Sequence, residues 1–90
     1  MAKRAVVSVV GKDQIGIISK VTTVLSENEM NILDISQTIL QDFFTMIMLI
    51  DIKDTNNLNM LQKQFKPVEN ELGLKISIQL EDVFQAMHRV

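Results

Sequence analysis

The chain has 90 residues, a hydrophobic fraction of 47% and a formal net charge of −2. That length suits one small domain burying roughly 60–65% of its unfolded surface, and the apolar content excludes intrinsic disorder. The acidic balance lacks the basic footprint of nucleic-acid binders, and the absence of cysteine removes any disulfide framework, thiolate zinc site or cysteine nucleophile.

Arg4–Val10 is an unbroken run of strand-forming residues. The apolar stretch ends there, too short and wrongly bounded for a signal peptide or a membrane span, so a cytoplasmic location is expected. Gly11-Lys12-Asp13-Gln14-Ile15-Gly16 follows, with a glycine on each side of an acidic residue where strand turns into helix. Free N–H groups at such a helix start favour anions, through orphan amides and the helix dipole. The Asp13 carboxylate beside them suits an ammonium. One pocket that accepts both charges is what a free amino acid requires. The conformational reading gives Gly11 a positive φ and Gly16 a close helix–strand contact. Asp13 reads as an N-cap, as a ligand group, or as both. The loop is not a phosphate-binding P-loop, since Ile17-Ile18 follow Gly16.

From Ile17 to Glu27 the apolar residues Ile17, Ile18, Val21, Val24 and Leu25 have helical spacing, and Asn28-Glu29 ends the helix. Asn31–Leu40 reads as a strand, with Leu33, Ile35 and Ile39 on one face and Asp34, Ser36 and Thr38 on the other. Gln41-Asp42 reverses the chain into the strand Phe43–Ile52, which predicts a hairpin. Asp54-Thr55-Asn56-Asn57 is a capping cluster for a helix whose stripe is Leu58, Leu61, Phe65, Val68 and Leu72. The stripe continues through Pro67, so a kink near Lys66 is expected rather than a break, and Gly73 supplies a left-handed cap. Leu74–Leu80 alternates Ile76, Ile78 and Leu80 against Lys75, Ser77 and Gln79. A tail, Glu81–Val90, sets Val83, Phe84, Met87 and Val90 at helical spacing.

This order predicts an α+β, ferredoxin-like βαββαβ fold: a four-stranded antiparallel sheet, two helices on one face and a short C-terminal helical tail. Residues 1–90 form a single domain, with a core over 4–80 and a tail over 81–90. The first and third runs are apolar on both faces and should be central; the second and fourth alternate and should be edges. In the third, Phe44, Met46, Met48, Ile50 and Ile52 face one way and Phe43, Ile47 and Leu49 the other. Two helices cover one face of such a sheet, so the tail or a partner subunit must cover the second.

The loop, the element order and the pair Asn31-Ile32 resemble the ACT domain, a family of small regulatory modules that bind amino acids. The resemblance spans residues 4–80. Asp13-Gln14-Ile15-Gly16-Ile17 matches the family's acidic-or-amide, any, Pro, Gly, aliphatic segment, with Ile15 where many members carry proline. Asn31-Ile32 matches the small-polar-then-aliphatic pair that opens the family's second strand. Members commonly pair side by side, with ligand between the first loop and helix of one subunit and the second strand of the other. The resemblance thus implies a homodimer, with Gly11, Asp13, Gly16 and Ile17 from one chain and Asn31 and Ile32 from its neighbour. The ending Glu81-Asp82-Val83-Phe84, with Met87-His88-Arg89, looks like that of small stand-alone bacterial ACT proteins, themselves similar to the ACT repeats of the glycine-cleavage regulator.

No nucleophile–base pair, metal-ligand cluster or cofactor motif stands out, so neither catalysis nor a cofactor is expected. His88 is the only histidine, and with no cysteine a transition-metal site would rest on carboxylates. Glu81-Asp82 read as helix-start charges rather than a catalytic pair. RNA binding through the sheet would need exposed aromatics in a basic field; the central strands carry only Phe43 and Phe44, near one end. The expectation is therefore a non-catalytic module that binds a free amino acid at a homodimer interface and modulates a protein partner. The alternative is an interaction subunit with no small-molecule ligand. Neither nucleic acid nor membrane is an expected partner.

Overall fold

A computed structural model describes residues 3–52 and 56–83. Strand β1 (Lys3–Lys12) leads into helix α1 (Ile17–Glu27), then β2 (Asn31–Leu40), β3 (Phe43–Ile52), helix α2 (Asn56–Leu72) and β4 (Lys75–Leu80). The four strands form one antiparallel sheet in the order β2-β3-β1-β4. The doubly apolar runs are central and the alternating ones are edges, as their patterns require. This is the ferredoxin-like βαββαβ arrangement.

Both helices pack on one face. There Ala5, Val7 and Val9 of β1 and Phe44, Met46, Met48, Ile50 and Ile52 of β3 meet Ile17, Val21 and Leu25 of α1 and Leu61, Phe65 and Val68 of α2. Fully burying such side chains stabilises by about 1.5–3 kcal/mol each. The opposite face carries Phe43, Ile47 and Leu49 of β3 together with Val6 and Val10 of β1, and Val6 sits directly across the ladder from Leu49. Phe43, Ile47 and Val10 are exposed, whereas Val6 is buried. Residues 81–83 begin a helical turn after β4, and Arg4 holds that turn through Glu81 at 2.8 Å.

Both helices end as their sequences indicate. After α1, Glu29 takes φ 57, with Met30 donating to the Leu25 carbonyl and Glu29 to that of Ser26, each at 3.0 Å. Gly73 (φ 66) does the same after α2, where Leu74 donates to the Glu69 carbonyl at 3.0 Å. These are Schellman terminations. Helix α2 runs on through Pro67 without a break. The cluster residues Asp54 and Thr55, and the tail residues Phe84, Met87, His88, Arg89 and Val90, lie outside the described residues.

Three sequence expectations need correction. Strand β1 extends to Lys12, so Gly11 belongs to the ladder, opposite Phe44, and the turn starts at Asp13. The glycine roles are exchanged: Gly16 is the residue with positive φ (97), while a Cβ on Gly11 would lie 2.5 Å from Leu74 Cδ2. In β2 a bulge falls between Ile32 and Asp34, so Ile32 rather than Leu33 pairs with the inward-facing Ile50. An extra residue in one strand reverses the facing of everything before it.

Candidate functional site at the first loop and the β2 edge

Helix α1 starts without a side-chain cap. Its N-cap residue is Gly16, and the first backbone bond of the helix runs from Lys20 N to the Gly16 carbonyl at 2.9 Å. The amides of Ile17, Ile18 and Ser19 therefore have no intrahelical acceptor. Asp13, read from sequence as a possible N-cap, does not cap: its side chain is exposed and makes no hydrogen bond among the described residues. A lone carboxylate and a set of open amides thus lie on one short loop.

Three contacts hold that loop in shape. The Asp13 amide donates to the Asp42 carbonyl at 2.7 Å, which ties the loop to the β2–β3 turn. The Gln14 side-chain amide donates to the Leu72 carbonyl at 2.6 Å and to the Lys12 carbonyl at 3.2 Å, which ties it to the C-terminus of α2. Lys20 and Glu71 add an ion pair at 2.9 Å, half-exposed on both sides and therefore a small contributor. Gln14 carries no special motif, and its partner is 58 residues away, so no local signal marks it.

The loop candidates divide by what they expose. Gly11 sits on the core side of the sheet against Leu74. Ile17 is only 2% exposed and belongs to the core, so its contribution to any ligand is its amide. Ile15, where many relatives of the resembled family have proline, is 99% exposed at the tip of the loop.

Asn31 and Ile32 lie at the other end of the sheet. Asn31 pairs with Asp51, which pairs with Arg4, whereas Gly11 pairs with Phe44. The strand between Arg4 and Gly11 measures about 23 Å at roughly 3.3 Å per residue. Within one chain the two halves of the candidate site are therefore apart. The Asn31 end has its own groove beside the last turn of α1, lined by Thr22, Ser26, Met30 and Ile32. Across the ladder from Asn31, Asp51 Oδ1 is buried without a hydrogen-bond partner among the described residues.

Every residue of β2 is exposed. Its open edge can be read from the ladder. Ile76 donates its amide to Glu69 Oε2 at 2.9 Å, away from β1, so Ile76, Ile78 and Leu80 are the residues of β4 not bonded to β1. Alternation across the sheet then makes Ile35, Gln37 and Ile39 the residues of β2 whose backbone faces the open edge. The Ile35 amide is covered by Asp34 Oδ1 at 2.8 Å. Each outer edge thus has one outward amide taken by a carboxylate, a device that discourages strand addition.

Among the described residues no group of three or more histidine or acidic side chains is placed to hold a metal ion, and no helix is long and apolar enough to cross a membrane.

The family described as "ACT domain" matches residues 3–79. A "UPF0237 protein" of Clostridium perfringens is 51% identical over 87 residues, 96% of this chain and 98% of that protein. The solved structure of an "ACT domain protein from Streptococcus pneumoniae" superposes with a TM-score of 0.80 at 36% identity, covering 98% of this chain and 100% of that one. A structure described as a putative glycine cleavage system transcriptional repressor gives a TM-score of 0.77 at 21% identity, with 89% of this chain and 46% of that one covered; this is a likeness of fold.

Proposed function

The chain belongs to the ACT domain family, and we propose that it is a non-catalytic regulatory module that binds a small free amino acid between two copies of itself and thereby alters a protein partner. The observation that carries this reading is the first loop, where the open amides of Ile17, Ile18 and Ser19 lie on the same turn as the Asp13 carboxylate, which has no partner among the described residues. The amides suit a carboxylate and Asp13 suits an ammonium, which together describe a zwitterion.

The separation of the two half-sites within one chain supports a dimer in this reading. Antiparallel pairing of two β2 edges sets Asn31 of one copy near Leu40 of the other. Leu40 adjoins the Gln41-Asp42 turn that is bonded to Asp13. Such a pair carries Asn31 and Ile32 of one copy to the loop of the other. Ligand binding at that seam would act by differing affinity for two arrangements of the dimer. The family resemblance supports the same geometry, and a cytoplasmic location suits a sensor of free amino acids.

Sedimentation at micromolar concentration should give about twice the chain mass of 10.2 kDa. Titration with a small free amino acid should move the amide resonances of Gly11 to Ile17 together with those of Asn31 and Ile32. A monomer that shows no movement with any amino acid at millimolar concentration would overturn the proposal.

A second reading rests on a different observation. Ile15 (99% exposed), Leu40 (71%) and Phe43 (62%) lie around the same loop end of the sheet. Exposed apolar groups of that size also suit a pure interaction subunit that docks a protein with no ligand. A protein partner that binds with equal affinity with and without amino acids would select this reading.

A further inference from the structure

Helix α2 and the open edge of β4 enclose a groove of about 740 Å³ on the side of the domain away from β2. Its floor is Phe65 and Ile78, both buried, and its rim on α2 is Gln62, Lys63, Lys66 and Glu69. None of these residues belongs to the first loop or to the β2 edge.

The rim charges are arranged unevenly. Glu69 is occupied, because its carboxylate accepts the Ile76 amide at 2.9 Å. Lys63 and Lys66 are exposed and form no ion pair or hydrogen bond among the described residues. The groove therefore offers two uncommitted cations in a chain whose net charge is −2. Below them Ile78 turns its backbone groups to the open edge, and Leu80, the last residue of β4 and outside the groove lining, continues that edge. Helix α2 reaches β4 through Gly73 and Leu74 alone, so it runs antiparallel to the strand. Glu69 consequently lies at the Ile76 end, and Lys66 and Lys63 follow toward Ile78, where the edge is open.

The spacings agree. Helical residues three apart have Cβ atoms about 5–6 Å from each other. Same-face side chains of an extended strand repeat at about 6.5–6.8 Å. Lys63 and Lys66 can thus each meet one of two successive same-face side chains on a strand lying in the groove.

We propose that the α2–β4 groove is a docking site for an extended peptide segment bearing acidic side chains at alternate positions, which adds to the β4 edge at Ile78 and Leu80 while its carboxylates pair with Lys63 and Lys66. The partner's backbone takes the edge groups and its charges select the groove. Glu69 sets one limit of the site, since its carboxylate covers the Ile76 amide and repels an acidic strand placed further along. The site is independent of the amino-acid site proposed above, and the two are read by different resonances.

The test uses the acetylated and amidated pentapeptide Glu-Val-Glu-Val-Glu, titrated into the isotope-labelled full chain, with Lys-Val-Lys-Val-Lys as its counterpart. The glutamate peptide is expected to shift the amides of Ile78 and Leu80 and to leave those of Gly11 to Ile17 in place. Combined Lys63→Glu and Lys66→Glu substitutions, both at exposed sites, should weaken that peptide by at least about fivefold and improve binding of the lysine peptide. The proposal is overturned if Ile78 and Leu80 do not move at millimolar peptide, or if the double variant binds the glutamate peptide unchanged. It is equally overturned if free glutamate moves the same amides as far, which would make the groove a small-molecule site. Movement of these amides with protein concentration alone would assign the edge to a second copy of the chain and would also overturn it.

Discussion

The side-chain amide of Gln14 donates to the backbone carbonyl of Leu72 at 2.6 Å, joining the first loop to the last turn of α2. Leu72 precedes the left-handed Gly73, so the bond satisfies one of the carbonyls that a helix C-terminus leaves without a partner. The loop that presents Asp13 is therefore shaped by an element at the far end of the chain. Replacing Gln14 with Leu should cost about 0.5–1.5 kcal/mol, the net value of such a hydrogen bond. Hydrogen exchange should quicken over Asp13 to Ile17 more than in β1. Equal protection in the variant and the parent would show that the tie does not hold the loop.

The two glycines of the loop region should respond differently to substitution. Gly16→Ala should cost about 1–2 kcal/mol, because φ 97 places an L side chain in a strained conformation although nothing lies within 4 Å. At Gly11 the obstacle is the Leu74 side chain, 2.5 Å from an added Cβ, so Gly11→Ala should cost about 1–3 kcal/mol through repacking. Shortening Leu74 in the same chain should recover part of the Gly11→Ala loss and none of the Gly16→Ala loss. Denaturant midpoints of the two double variants decide the matter.

Asp13 separates stability from binding. Its carboxylate makes no cap and no hydrogen bond among the described residues, so Asp13→Ala should change stability by no more than about 0.5 kcal/mol. A lost N-cap would instead cost about 0.5–2 kcal/mol. If Asp13 meets a ligand ammonium, affinity for the amino acid should fall by roughly tenfold or more, as expected for a charged hydrogen bond. Calorimetry of the free protein together with a ligand titration measures both quantities.

Asp34 should restrain pairing of β2 edges. Its carboxylate covers the Ile35 amide at 2.8 Å, one of the groups a second β2 strand would use. Asp34→Ala releases that amide and removes a negative charge from each copy. If two β2 edges pair as proposed, dimer dissociation, followed by sedimentation over a dilution series, should weaken by about threefold or more, consistent with a gain of roughly 1 kcal/mol. A weaker dimer in the variant would mean that Asp34 contributes to the contact instead of guarding it.

Much of the architecture was legible in local pattern. The spacing of Val21, Val24 and Leu25 marks α1 as surely as the alternation of Ile76, Ile78 and Leu80 marks β4, because helices and strands repeat at 3.6 and 2 residues. The double-sided apolarity of Phe43–Ile52 placed that strand in the middle of the sheet, where β3 is found between β2 and β1. The turn chemistry at Gly73 was likewise readable, since few other residues adopt its φ of 66 without strain.

The loop itself was legible in composition but not in detail. Two glycines and an acid between a strand and a helix identified the place, yet which glycine needs the positive φ depends on where β1 stops pairing with β3. Gly11 is small because Leu74 approaches it across the fold, and Gly16 takes the N-cap position, which leaves Asp13 without a partner among the described residues. The bulge at Leu33, the Gln14–Leu72 bond and the Asp34 and Glu69 guards on the two edges were set by packing between distant segments. Periodicity is a property of neighbours in the chain, so it reports the faces of each element. Contacts between elements depend on the depth and angle at which those faces meet, and these are settled only when the sheet and its two helices close on a shared core.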